Sequence, residues 1–175
     1  KGMPVIGIPR ALNMYEDFPF WHALFTAAGM RVVLSSESND KNYESALKYV
    51  MSDNICFPAK LTHSHFQELN DNKEVDRIFM PYVIFEHNDD PERTINSFNC
   101  PIVSGYADVI KSSMSVHKPL DAPVINFADD RLLEVAVQAE KRIEAVNKIK
   151  KLALKVTNAH DWLNQQGRPY LAVSG

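Results

Sequence analysis

Short apolar runs alternate with longer stretches of helical periodicity along this chain. Pro4–Ile8, Arg31–Leu34, Val75–Met80 and Val124–Phe127 have the length and composition of buried strands. Between the first two, Pro19–Ala28 predicts a helix, with Asp17 before Pro19 at its start and Gly29 at its end. Phe20, Trp21, Leu24 and Phe25 give that helix one bulky face. Tyr43–Met51 and Pro58–Leu69 predict two more helices, and Ser104 a cap for a further one running to about Ser112. Residues 81–100 are a long polar stretch that includes Asp89-Asp90, and they predict a loop of the kind that carries function.

From Asp129, a predicted N-cap, to about Gln165 the pattern is helical, with apolar positions at 132, 136, 139, 143, 146, 149, 152 and 156. At 1.5 Å per residue such a helix approaches about 55 Å, longer than one small domain needs. A break near Thr157-Asn158, or a helix bridging two domains, resolves this. The expected organisation is an α/β domain over residues 1–128, a long helix or helix pair over 129–166, and the first strand of a truncated following unit over 167–175. The chain begins without Met on a strand-like run and stops on another at Pro169–Gly175, so we expect a region of a longer polypeptide.

Strands alternating with helices predict an α/β fold: a mostly parallel, Rossmann-like or flavodoxin-like sheet with right-handed crossovers and helices on both faces. In such folds ligands bind beyond the carboxyl ends of the strands, where each crossover helix begins. Pro9-Arg10 and the start of the 58–69 helix therefore share that edge, and Cys56 lies just before the helix. Cys100 joins them if Pro101–Val103 leads into a helix. If Pro101–Val103 is a parallel strand, Cys100 falls on the opposite edge.

Composition narrows the function classes. The 175 residues are 45% hydrophobic and 23% charged, a globular balance. Only six glycines are present, and no three space as G-x-G-x-x-G. Gly2 and Gly7 have P-loop spacing, but Ile8-Pro9 follow where Lys-Ser/Thr is required. Neither nucleotide motif is present. A net charge of −3 leaves no electrostatic footprint for nucleic acid. No apolar run approaches the ~18 residues of a spanning helix and no signal-peptide pattern appears, so we expect no membrane partner and a cytoplasmic location.

Two cysteines cannot make a disulfide scaffold. Both stand in proline turns, Ile55-Cys56-Phe57-Pro58 and Asn99-Cys100-Pro101. Two readings stand side by side: small buried hydrophobes, or thiolates favoured by a helix N-terminus and suited to iron–sulfur ligation. Two thiols cannot complete a four-ligand cluster by themselves. His63 and His65 lie about 200° apart around a helix and cannot chelate one metal from one face; the plainer expectation is one packed and one exposed histidine. Lys60 is either a cation offered to an anionic ligand or an ordinary surface lysine. Arg10 follows the first strand, where a guanidinium can meet a phosphate or carboxylate. No Ser-His-Asp or Cys-His set can be read from spacing.

The blocks Gly7-Ile8-Pro9-Arg10-Ala11-Leu12-Asn13-Met14-Tyr15-Glu16 with Pro19-Phe20-Trp21, Val32-Val33-Leu34-Ser35, Cys56-Phe57-Pro58-Ala59-Lys60-Leu61 with His63 and His65, Ile78-Phe79-Met80-Pro81, and Asn99-Cys100-Pro101-Ile102-Val103 with Gly105-Tyr106 carry a resemblance. Together they resemble the conserved domain of CoA-substrate-specific enzyme activases, proteins related to the activator of 2-hydroxyacyl-CoA dehydratase. The resemblance is detailed over residues 4–112. It implies a domain lying C-terminal to an actin-like ATPase, in proteins whose dehydratase-activating members hydrolyse ATP and pass a low-potential electron from an iron–sulfur cluster to the dehydratase. ATP therefore belongs to domains outside these residues. A more distant similarity to cluster-bearing dehydratase subunits implies Cys56 and Cys100 as ligands of a 4Fe–4S cluster, with a third cysteine beyond Gly175. Arg10, Lys60, His63 and His65 are then expected to set the charge around that cofactor or to dock an acyl-CoA dehydratase-type partner. The alternative is a non-catalytic docking module without a cluster.

Overall fold

The computed structural model describes residues 3–86, 92 and 96–128. Three of the four strand-like runs lie side by side in one sheet, and the fourth, at Val124–Phe127, joins a second pair. β1 (Val5–Ile8) pairs in parallel with β2 (Arg31–Leu34) on one side and with β3 (Arg77–Phe79) on the other. β3 in turn pairs in parallel with β5 (Leu120–Asp121), giving the order β2-β1-β3-β5. Two further strands, β4 (Tyr82–Phe85) and β6 (Val124–Asn126), form a second parallel pair. Met80 and Pro81 separate β3 from β4, and Ala122 and Pro123 separate β5 from β6. Each proline lacks the N–H that a continuous ladder uses. Met80 N–H to the Asp121 carbonyl and Tyr82 N–H to the Pro123 carbonyl, both 2.9 Å, carry the pairing across the gap. This is an open, doubly wound parallel sheet, and its order reverses between β1 and β3.

Helices cover both faces, as the pattern predicts. α1 (Phe18–Ala27) packs Trp21 and Leu24 against Ile6, Ile8, Phe79, Val83 and Ile125. On the other face α3 (Phe57–Asp71) and α4 (Pro101–Ser113) pack Phe66, Leu69, Tyr106 and Ile110 against Val5, Ile78 and Met80. A short α2 (Asp40–Ala46), with Asn39 accepting from Asn42 N–H at 2.9 Å as its N-cap, lies between β2 and α3. Alternation within β1 sends Gly7 toward α3, and a Cβ there would lie 2.9 Å from Val75 Cγ1 and 3.2 Å from Leu69 Cδ2. The helix rests directly on the strand backbone. α1 closes with Gly29 at φ 82°, while Met30 N–H reaches the Phe25 carbonyl and Gly29 N–H that of Thr26.

Four elements differ from the sequence pattern. Leu120–Asp121, assigned to no element, is strand β5. Tyr82–Phe85, inside the stretch read as loop, is strand β4, because its apolar residues pair with β6 once Pro81 has ended β3. α4 starts at Pro101, with Cys100 rather than Ser104 as N-cap. The segment read as a helix over Tyr43–Met51 is instead α2 followed by a 3-10 turn at Leu47–Tyr49. The long helix expected from Asp129 and the strand expected at 167–175 lie outside the described residues. Among the described residues no helix is long and apolar enough to cross a membrane.

Candidate functional site

The carboxyl edge of the sheet gathers nearly every residue singled out by sequence. Cys56 caps α3 and Cys100 caps α4, each with extended ψ (149° and 155°), and proline follows within the first two helical positions of both helices. Their carbonyls close the first turns: Ala59 and Lys60 N–H reach Cys56 O, and Ser104 N–H reaches Cys100 O. Neither side chain caps its own helix, and both thiols are exposed. The reading as buried hydrophobes does not describe them. α3 and α4 pack on the same face of the sheet, and each thiol stands at a helix N-terminus, where unpaired N–H groups favour negative charge.

Both histidines are buried, on opposite sides of α3, where one packed and one exposed were expected. His63 faces α4: its Nδ1 lies 3.4 Å from Tyr106 Oη and its Nε2 3.3 Å from Ser113 Oγ. Burial pushes the His63 imidazole below its ordinary value, and backbone hydrogen bonds counter this in part. Tyr106 connects this pocket to the cysteine edge: burial first, then the charge of Cys56, push its phenol up to about 12. Lys60, one turn into α3, donates from Nζ to the Asp53 carbonyl at 2.9 Å.

His65 faces the loop after β2. Its Nδ1 is 3.0 Å from the buried Ser35 Oγ and its Nε2 2.8 Å from the exposed Ser38 Oγ. Arg10 N–H donates to Ser35 Oγ at 2.7 Å. One proton assignment satisfies every atom: Ser35 accepts from Arg10 and donates to Nδ1, and Nε2–H donates to Ser38. In that tautomer His65 is no general base toward Ser38, so the pair is not a nucleophile–base set. Burial, with a contribution from Arg10, holds His65 below its ordinary value against the pull of Glu68.

A third group was not legible from sequence. Leu12 takes a left-handed φ of 52° in the turn after β1. The next residue, Asn13, donates from Nδ2 to Asp17 Oδ2 at 3.0 Å. Asn99 Nδ2 donates to Glu86 Oε1 at 2.6 Å. Desolvation, reinforced by the Glu86 charge, raises the Asp17 carboxyl to about 7, and Glu86 is raised by the same first cause. Glu86 stands at the end of β4 and Asp17 at the start of α1, 69 positions apart by number (86 − 17), so no local spacing signals the pair. The one available clue was the acidic corner Glu16-Asp17 beside the first strand's turn.

The profile of a family described as a CoA enzyme activase uncharacterised domain matches residues 5–171. The chain belongs to that family. No curated protein and no solved structure matches it. Within this activase domain, among the described residues, no three His, Cys, Asp or Glu side chains gather to hold a metal ion. What the edge does present is two soft sulfur donors, which suit an iron–sulfur cluster only as part of a ligand set completed from elsewhere.

Proposed function

We propose that this activase domain is an accessory module serving an acyl-CoA dehydratase-type enzyme in a cytoplasmic setting, and that Cys56 and Cys100 supply two ligands of an iron–sulfur cluster. The remaining ligands come from outside the described residues, and ATP hydrolysis belongs to other domains. The observation that carries the reading is the placement of both exposed thiols as N-caps of the adjacent helices α3 and α4. Such a cluster, when bound, supplies one-electron transfer at low potential. The chain's own residues hold and tune the site. The N-termini of α3 and α4 favour the negative charge of thiolate ligands. Tyr106 keeps its phenol proton beside Cys56, and neutral His63 behind it adds no opposing charge. Lys60 and Arg10 are cations along the same edge and dock an acidic partner surface.

Anaerobic reconstitution of the full-length protein with iron and sulfide tests this. Cys56→Ala and Cys100→Ala, both at exposed caps, are expected to fold and to lose most of the bound iron. Unchanged iron content in both variants refutes the assignment. The docking-module reading draws on Phe57, which is 57% exposed beside Cys56. If that reading is correct, Phe57→Ala weakens partner binding while no iron is retained by the unaltered protein.

A further inference from the structure

The loops after β1 and β2 bring together donors, Arg10 among them, that do not ligate the proposed cluster. The register pairs Ile8 with Leu34, so Arg10 and Ser35 leave the sheet side by side; Ser35 N–H reaches the Ile8 carbonyl at 3.1 Å. We propose that Arg10 and Ser38 form a phosphate-binding subsite at the carboxyl ends of β1 and β2, with Ser35 and His65 as positioning residues.

The guanidinium is largely uncommitted. Its side chain is 25% exposed, and its Nη1 meets Glu37 at 3.3 Å, a carboxylate that is itself 86% exposed. Its Nε is shielded from solvent and has no hydrogen-bond partner. A loose, solvent-screened ion pair of this kind is readily exchanged for a better-placed anion. The backbone beneath it is fixed, because Arg10 N–H is tied to Ser35, which is tied to His65. Ser38 adds a second donor: with Nε2–H of His65 donating to its oxygen, the hydroxyl proton points away from His65. The other nearby carboxylate, Glu68, is engaged by Ser36 N–H at 2.9 Å and by Ser36 Oγ at 2.6 Å, so it does not compete for Arg10. A planar fork plus a separate hydroxyl matches a tetrahedral oxyanion with several acceptors; a carboxylate would be served by the fork alone. The ligand class is therefore a phosphate group, either free or carried by a CoA-like molecule. The subsite stands whether or not Cys56 and Cys100 hold a cluster.

Isothermal titration of the full chain at constant ionic strength, with inorganic phosphate, CoA and dephospho-CoA in separate arms, tests the proposal. Saturable binding is expected in at least one arm. Inorganic phosphate alone marks a free-phosphate site, and CoA without dephospho-CoA marks its 3′-phosphate. CoA and dephospho-CoA together mark the pyrophosphate. Arg10→Gln should weaken the binding by about tenfold or more and Ser38→Ala by several-fold, while Lys73→Gln, at an exposed cation in the turn between α3 and β3, leaves it unchanged. No saturable heat in any arm, or equal binding by Arg10→Gln, overturns the proposal.

Discussion

Asp17 is the residue on which the fold spends stability at neutral pH. Its carboxyl is raised from 3.8 to about 7, chiefly by desolvation and then by Glu86. A raised carboxyl binds its proton more tightly in the folded than in the unfolded chain, so its contribution is favourable in acid and is lost as pH rises from about 4 to about 7. Asp17→Asn keeps the shape and removes the charge. Urea unfolding should show it more stable than the parent by about 2 kcal/mol near pH 7.5 and no more stable near pH 4. An equal change at both pH values would contradict a titration origin. The histidines run the other way. His63 and His65 are held below their ordinary value, so the stability they contribute is present above about pH 6.5 and falls as the solution is acidified. His65→Gln should lower stability at pH 7 yet show a shallower loss between about pH 6.5 and 5. Sequence flagged both histidines by their H-x-H spacing but led to the expectation that only one of them is packed, and both are buried. The reason is reach: the partners of His65 lie 30 and 27 positions away, and Tyr106 lies 43 from His63.

At the scale of elements, Gly7 governs how closely α3 approaches the sheet. A methyl group there meets Val75 Cγ1 at 2.9 Å, and a β-branched side chain has little freedom to turn aside. Gly7→Ala should cost about 1–3 kcal/mol, read from denaturant unfolding, and a neutral outcome would mean that the strand–helix seam is looser than drawn. The same scale explains which elements were legible. α1 announces itself through Pro19 at its start and Gly29 at its end, and both signals are local. β4 was hidden, because Pro81 breaks the strand and the polar residues beyond Phe85 blend with it into one apparent loop. α4 was placed four residues late because Ser104 is a good capping residue, whereas Cys100 caps α4 without any side-chain hydrogen bond.

At the scale of the whole molecule, the parallel pairing within the sheet β2-β1-β3-β5 follows from alternating strands and helices, and it puts the start of every crossover helix on one edge. That rule brings Arg10, Cys56 and Cys100 to the same edge once Pro101 is seen to open α4. It says nothing of Asp17 with Glu86, which meet there only through the turn after β1 and the extension of β3 into β4. The edge therefore carries three chemistries: two thiols, a cationic fork with hydroxyls, and a half-buried acid pair. Differential alkylation measures the thiols most directly: iodoacetamide labelling of Cys56 and Cys100 in the full-length protein, read by mass spectrometry before and after anaerobic loading with iron and sulfide. Both thiols should react freely in the unloaded protein and become protected together on loading. Undiminished labelling of both in protein that carries iron would contradict the account.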